Sequence, residues 1–187
     1  SLPAYSLTIN NLSNRLYVLL ETGVVKSINS NGVVSTFSIS GDAPTGGSKC
    51  IRFKVEPIFP YFLYITDTPN AQILKVTITD PVNAGVGEAL TITNFPINFK
   101  PTNLAFDSNN NMYMCAGSNT DASGNPDPTY NSQIVYKINL DISSNLVADE
   151  YVTISEISFF SGIRGITFDS RNYMYSIGKF GGGVKEV

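Results

Sequence analysis

Apolar and polar residues alternate along this chain with a period of two. The segments Leu16-Tyr17-Val18-Leu19-Leu20, Ile73-Leu74-Lys75-Val76-Thr77-Ile78, Leu90-Thr91-Ile92-Thr93 and Ile134-Val135-Tyr136-Lys137-Ile138 are short, rich in β-branched and aromatic residues, and bounded by Gly, Asn, Asp and Pro. No stretch of ten or more residues carries the i, i+3, i+4, i+7 stripe of an amphipathic helix. The pattern predicts an all-β chain.

One two-strand phrase recurs four times: apolar-x-apolar, a polar turn, then apolar-Tyr-apolar. It joins Leu7-Thr8-Ile9 to Leu16-Tyr17-Val18, Ile51-Arg52-Phe53 to Leu63-Tyr64-Ile65, and Leu104-Ala105-Phe106 to Met112-Tyr113-Met114; the fourth copy, Ile166-Thr167-Phe168 to Met174-Tyr175-Ser176, ends on serine. The tyrosines lie 47, 49 and 62 residues apart, within or just above the ~40–50 residues of a four-stranded propeller blade. Third strands are expected at about 24–29, 72–78, 133–139 and 183–187, and fourth strands at about 33–38, 90–94 and 151–154. This predicts β-propeller blades of four-stranded antiparallel meanders at about 1–40, 41–95, 96–155 and 156–187, the last lacking its outer strand. An outer edge left open is seldom tolerated in a soluble protein, so either a continuation after residue 187 or a partner strand is expected. The start at Ser1 suggests a processed or trimmed N-terminus.

The turn sequences resemble a known family. Asp107-Ser108-Asn109-Asn110-Asn111-Met112-Tyr113 and Asp169-Ser170-Arg171-Asn172-Tyr173-Met174-Tyr175 resemble the Asp-x-x-Gly-Asn-Leu-Tyr turn of NHL-repeat and related six-bladed, lactonase-like β-propellers. The run from Ile65 to Val76, with Asp67, Asn70 and Lys75, is similar to the hairpin between second and third strands in that family. The first unit departs from it, having only Glu21-Thr22-Gly23 there, and the fourth has Lys179-Phe180-Gly181-Gly182-Gly183. The resemblance implies a ring of six blades, more than four units supply. The chain would then be a piece of a longer polypeptide, a small four-bladed ring, or one of several copies sharing a ring or array.

Composition narrows the chemistry. Only 14% of residues are charged, the formal net charge is -3, and Asn, Ser and Thr fill 19, 20 and 15 positions, so the surface is amide and hydroxyl rather than ionic. Lys and Arg are scattered singly, which argues against a nucleic-acid partner. The absence of histidine removes the commonest general base and zinc ligand, and with it Ser-His-Asp and Cys-His mechanisms. No apolar run approaches the ~20 residues of a membrane span. Cys50 and Cys115 could form one bridge or be two buried thiols; their apolar surroundings favour the thiols.

Candidate binding residues concentrate in one loop, about 117–131, the longest irregular segment and the best recognition element. Asp121, Ser123, Asn125 and Asp127 stand at alternate positions, with Tyr130 beyond; Asp121, Asn125 and Asp127 could wrap a calcium ion, although Gly124 falls at the fourth loop position rather than the sixth. No other cofactor is expected. Asn11-Leu12-Ser13 fits an N-glycosylation acceptor. The turn residues Asp107 to Asn111, Asp169 to Asn172, and Asp67 with Asn70 read as hairpin-closing groups, and the repeated tyrosines as packing between blades. Gly46-Gly47 and Gly181-Gly182-Gly183 lack the Lys-Ser/Thr of a phosphate loop, and the apolar segment 157–163 reads as packing. No catalytic constellation can be assigned.

The expected function is a non-catalytic binding or structural module for protein–protein or assembly contacts, self-association included, extracellular or on a particle surface such as a virion. The alternative implied by the resemblance is a calcium-dependent lactonase-like hydrolase, for which Glu21, Asn103, Asp121 and Glu156 are conceivable ligands that no spacing selects.

Overall fold

The computed structural model of the chain describes residues 3–54, 60–94, 100–117, 134–140, 145–153, 163–178 and 184–186. They form strands throughout, with one 3-10 turn at Thr68–Asn70. Two compact units divide the chain, Ser1–Leu90 and Thr91–Val187.

In the first unit β1 (Ala4–Asn10), β2 (Arg15–Leu20), β3 (Val25–Ile28) and β4 (Val34–Gly41) make one antiparallel meander. A second follows as β5 (Cys50–Lys54), β6 (Phe62–Asp67), β7 (Gln72–Asp80) and β8 (Ala84–Leu90). The outer strands β4 and β8 pair in parallel, giving one sheet ordered β1-β2-β3-β4-β8-β7-β6-β5 that nearly closes on itself. Its two ends meet through side chains. Ile51 N–H donates to Ser6 Oγ at 3.2 Å and Phe53 N–H donates to Thr8 Oγ1 at 2.9 Å, so hydroxyls on β1 satisfy the free amides of β5.

A strand presents alternate residues to opposite faces, and residues paired across a ladder share a face. The first meander turns Tyr17, Leu19, Val25 and Phe37 toward the second, which answers with Ile51, Phe53, Leu63, Ile65, Leu74, Val76 and Ile78; all are buried in one core. Tyr17 meets Phe37 edge-on at 5.2 Å between ring centroids, and its hydroxyl donates to Pro81 O at 2.9 Å. Full burial of each such side chain contributes ~1.5–3 kcal/mol.

The second unit repeats this plan. It contains β9 (Ile92–Thr93), the meander β10 (Lys100–Phe106), β11 (Met112–Gly117), β12 (Ile134–Leu140) and β13 (Leu146–Thr153), and the three strands β14 (Ile163–Phe168), β15 (Met174–Gly178) and β16 (Val184–Glu186). Ala105, Tyr113, Cys115 and Val135 of the meander pack on Ile163, Ile166 and Met174, with Val152 and Phe168 at the margin. The seam between inner strands is again a side-chain acceptor: Ile166 N–H donates to Asn103 Oδ1 at 3.3 Å. Asn103 holds the place in its phrase that Ser6 holds in the first.

The strand ladders support the all-β, four-stranded-meander reading, with two differences. The fourth strand of the second meander is β8, Ala84–Leu90, not 90–94, where β9 instead pairs in parallel with β13. The fourth strand of the third meander starts at Leu146 rather than near residue 151. β8 lacks the bulky alternation of a strand because it contains Gly85 and Gly87, yet both are required for packing. A Cβ on Gly87 would fall on the Asp42 carbonyl oxygen, and one on Gly85 would come within 2.7 Å of Val76 Cγ1. Gly87→Val is therefore expected to part β4 from β8 and lower stability by at least ~1–3 kcal/mol, read as a shifted denaturant midpoint; Val86→Thr, at an exposed position of the same strand, should leave the midpoint nearly unchanged.

Candidate functional site: the uncovered face of the first meander

The opposite face of the first meander stands largely exposed among the described residues. Register places Leu7 beside Val18, Ile9 beside Leu16, Leu16 beside Ile28 and Ile28 beside Val34, so these six apolar side chains share one face. Leu7 is 60% exposed, Ile9 54% and Val34 58%. The equivalent positions elsewhere are closed: Ile51, Leu104 and Ile166, which match Leu7, are at most 4% exposed. One polar pair interrupts the face, Lys26 Nζ donating to Thr36 Oγ1 at 2.7 Å. A contiguous apolar sheet face is the kind of surface that marks an interaction site.

Among the described residues of the three-stranded sheet, one face also carries an exposed apolar side chain. Thr167 lies opposite Tyr175 and Gly165 opposite Ile177. Ile177, which matches the fully buried Leu19 and Cys115, is 49% exposed.

The polar clusters serve the scaffold. Asp67 is fully buried, and its carboxylate accepts from Thr45 Oγ1 (2.5 Å), Ser48 Oγ (3.1 Å), Asn70 Nδ2 (2.7 Å) and Gln72 Nε2 (2.8 Å). Burial alone would raise its pKa, but these four donors outweigh it and hold the carboxyl below its ordinary value. The group thereby ties the segment between β4 and β5 to the turn after β6. Asp107 accepts from the Asn109 and Asn111 amides and from Asn111 Nδ2, and the Tyr113 hydroxyl donates to it at 3.3 Å. Against the effect of burial, those bonds also depress its pKa. Asp169 repeats the arrangement with Arg171, Tyr173 and Tyr175. Asn110 and Asn172 adopt left-handed φ of 62° and 66°, as tight turns closed by Asn require. Burial drives Tyr17 and Tyr113 up to about 12, the charge of Asp107 adding to the shift at Tyr113. Both phenols are neutral at physiological pH.

A cleft of ≈ 220 Å³ lies between Thr22, Val24, Phe37, Ile39 and Pro44. It is smaller than the ~300–1,000 Å³ of small-molecule sites, and its lining is mostly apolar.

Of the residues singled out from sequence, Asp121, Ser123, Asn125, Asp127, Tyr130 and Glu156 lie outside the described residues, as does the segment 157–162. Asn11 is exposed in the β1–β2 turn. Glu21 accepts from the Tyr5 hydroxyl at 2.8 Å, and Asn103 caps the Ile166 amide. Cys50 and Cys115 are buried thiols. Among the described residues no group of three acidic or thiol side chains could hold a metal ion, and no helix is long and apolar enough to cross a membrane. Sequence reasoning missed the open face, whose signal was the first phrase itself: Leu7 stands where every later phrase buries its first apolar residue, and Ile9 where they bury or half-bury a phenylalanine.

The architecture is shared with solved β-propellers. Streptogramin B lyase superposes with a TM-score of 0.60 at 12% identity, over 98% of this chain and 51% of its own. Hydrazine synthase of Kuenenia stuttgartiensis gives 0.62 at 13% identity, over 100% and 46%. The WD40 β-propeller domain of Doa1 gives 0.54 at 9% identity, over 92% and 47%. At such identities the likeness is one of fold: the chain has a β-propeller-like fold and spans about half the length of these neighbours. No family model and no curated protein sequence matches it.

The depressed carboxyls make stability pH-dependent in a fixed direction. A group whose folded pKa lies below its unfolded value stabilises the fold above that unfolded value, ~3.9, and loses the contribution as pH falls through the folded pKa. The midpoint of thermal unfolding should thus drop as pH is lowered below ~4. Asp67→Asn, which keeps the shape but turns an amide toward donors, should cost ~1–3 kcal/mol at pH 7 and flatten that acid limb.

Proposed function

We propose that the chain is a non-catalytic binding or structural propeller module that docks a protein through the open face of its first meander. The observation that carries this reading is the outward display of Leu7, Ile9 and Val34 on a rigid, ladder-paired sheet. Loops deliver most catalytic groups in proteins; here a strand face is offered instead, and its chemistry suits burial against another apolar surface. The carboxylates at Asp67, Asp107 and Asp169 are each engaged by scaffold donors, Asp107 and Asp169 by their own turns and Asp67 also by Thr45 and Ser48, which supports recognition over hydrolysis. The amide- and hydroxyl-rich composition and the exposed Asn11 fit a place outside the cell or on a particle surface.

A photo-crosslinking residue at position 9 tests the reading. In the purified full chain and in lysate of the expressing cell, position 9 should form protein adducts at least about tenfold more efficiently than a control at Asn31, in an exposed turn. Leu7→Asp should suppress those adducts while leaving the unfolding midpoint within ~0.5 kcal/mol, as for a surface change. Equal labelling at both positions, or adducts indifferent to Leu7→Asp, would sink the proposal.

A further inference from the structure

We propose that Asn31 is a site of self-modification, at which the backbone nitrogen of Gly32 closes on the Asn31 side chain and converts it to aspartate and isoaspartate. Of the 19 asparagines in the chain, Asn31 alone precedes glycine. It stands at the tip of the β3–β4 hairpin, where Asn31, Gly32, Val33 and Val34 are all exposed. A Cβ built on Gly32 would meet nothing within 4 Å, and the residue has φ of 77°, the left-handed value that a three-residue hairpin loop assigns to glycine. Its amide nitrogen therefore has no side chain of its own to shield it. The Asn31 carboxamide makes no hydrogen bond among the described residues that would hold it away.

Other exposed turns lack this combination. Asn14, Asn110 and Asn172 are exposed and left-handed themselves, but Arg15, Asn111 and Tyr173 follow them, and a side chain on the following residue crowds the nitrogen that must attack. Asn29 restrains the tip of the β3–β4 hairpin. Its Oδ1 accepts from the Asn31 amide at 3.0 Å and from the Val33 amide at 2.9 Å, and its carbonyl oxygen accepts from the Gly32 amide at 3.0 Å. The Gly32 N–H must leave that acceptor before its nitrogen can attack, so Asn29 sets the pace of the reaction.

The Gly32 nitrogen gives its proton to solvent hydroxide and attacks Asn31 Cγ. A bond forms between that nitrogen and Cγ, the bond from Cγ to Nδ2 breaks, and Nδ2 leaves as ammonia with a proton taken from water, which closes a succinimide ring. Water then opens the ring. Opening at Cγ leaves aspartate with the main chain restored; opening at the backbone carbonyl carbon leaves isoaspartate, with the main chain running through the former side chain. The sum is asparagine plus water giving a carboxylic acid plus ammonia, with no oxidation and no cofactor. Either product adds one negative charge to the formal -3. Isoaspartate also lengthens the loop by one methylene, which disturbs the bonds that Asn29 makes to Gly32 and Val33.

Incubating the folded chain at mildly alkaline pH, with peptide mass spectrometry and isoaspartyl methyltransferase labelling as readouts, tests the site. Asn31 should convert at least about tenfold faster than Asn14, Asn110 or Asn172, and Gly32→Ala should slow it by about the same factor. Asn31→Gln, which keeps an exposed amide but would have to close a larger ring, should abolish labelling at this position with an unchanged melting temperature. Asn29→Ala should speed conversion about threefold to tenfold, the factor that one or two lost hydrogen bonds of ordinary strength give, whereas Asn29→Asp, which keeps an acceptor at Oδ1, should stay within about twofold of the parent. Conversion at Asn31 no faster than at Asn14, or indifferent to Gly32→Ala, would overturn the site. Conversion that runs ahead of Asn14 but is unmoved by Asn29→Ala would overturn the control by Asn29.

Discussion

Backbone amides along the inner edge of a sheet must find acceptors, and the way β5 and β14 do so organises the rest of the molecule. Among the described residues neither receives a neighbouring strand on that side. Ser6, Thr8 and Asn103 reach across with side-chain oxygens instead, and a buried amide left without an acceptor would cost ~1–3 kcal/mol. This arrangement lets two meanders face each other as separate sheets at the inside while their apolar sides close between them. It also fixes their register, because hydroxyls two residues apart on β1 meet amides two residues apart on β5. The repeated tyrosine follows from the same register: its ring fills the wedge beside the seam, and its hydroxyl reaches a carbonyl or a turn carboxylate at the margin.

The sparse charge of the chain becomes intelligible on these terms. Asp67 is fully buried with no cation beside it among the described residues, which ordinarily is prohibitive, but two hydroxyls and two carboxamides surround it. Neutral donors of this kind come mostly from the Ser, Thr and Asn that dominate the polar composition, with Gln72 beside them. Asp107 and Asp169 are held in the same way by turn amides and a phenol. The one ion pair at these sites, Arg171 with Asp169 at 2.9 Å, is exposed and adds little.

Much of the fold could be read from the residue pattern. The period-two segments, the recurring tyrosine and the Asp-Asn turns located most of the inner strands, because each carries its signal within a few residues. β8 escaped since Ala84-Gly85-Val86-Gly87 lacks the bulky alternation of a strand; its glycines answer a need of β4, far away in sequence, which no local reading contains. The candidate surface was half legible. Leu7 and Ile9 were recognised as strand residues, but whether an apolar face is covered depends on what lies across from it, and that is a property of the assembled chain. The loop 117–131 stood out by its length and by the spacing of its polar positions, and it lies almost wholly outside the described residues.

The parallel pairing of β4 with β8 has a further bearing on how this molecule survives in solution. Each would otherwise be an outermost strand with a row of unpaired amides and carbonyls, the template on which chains add to one another as cross-β aggregates. By lying against each other from Ser38 to Gly41 and from Ala84 to Gly87, the two strands partly quench one another's adhesive edge. The glycines that permit this approach thus act as a safeguard against fibrillisation, one that would be lost first if the outer seam opened while both cores stayed intact.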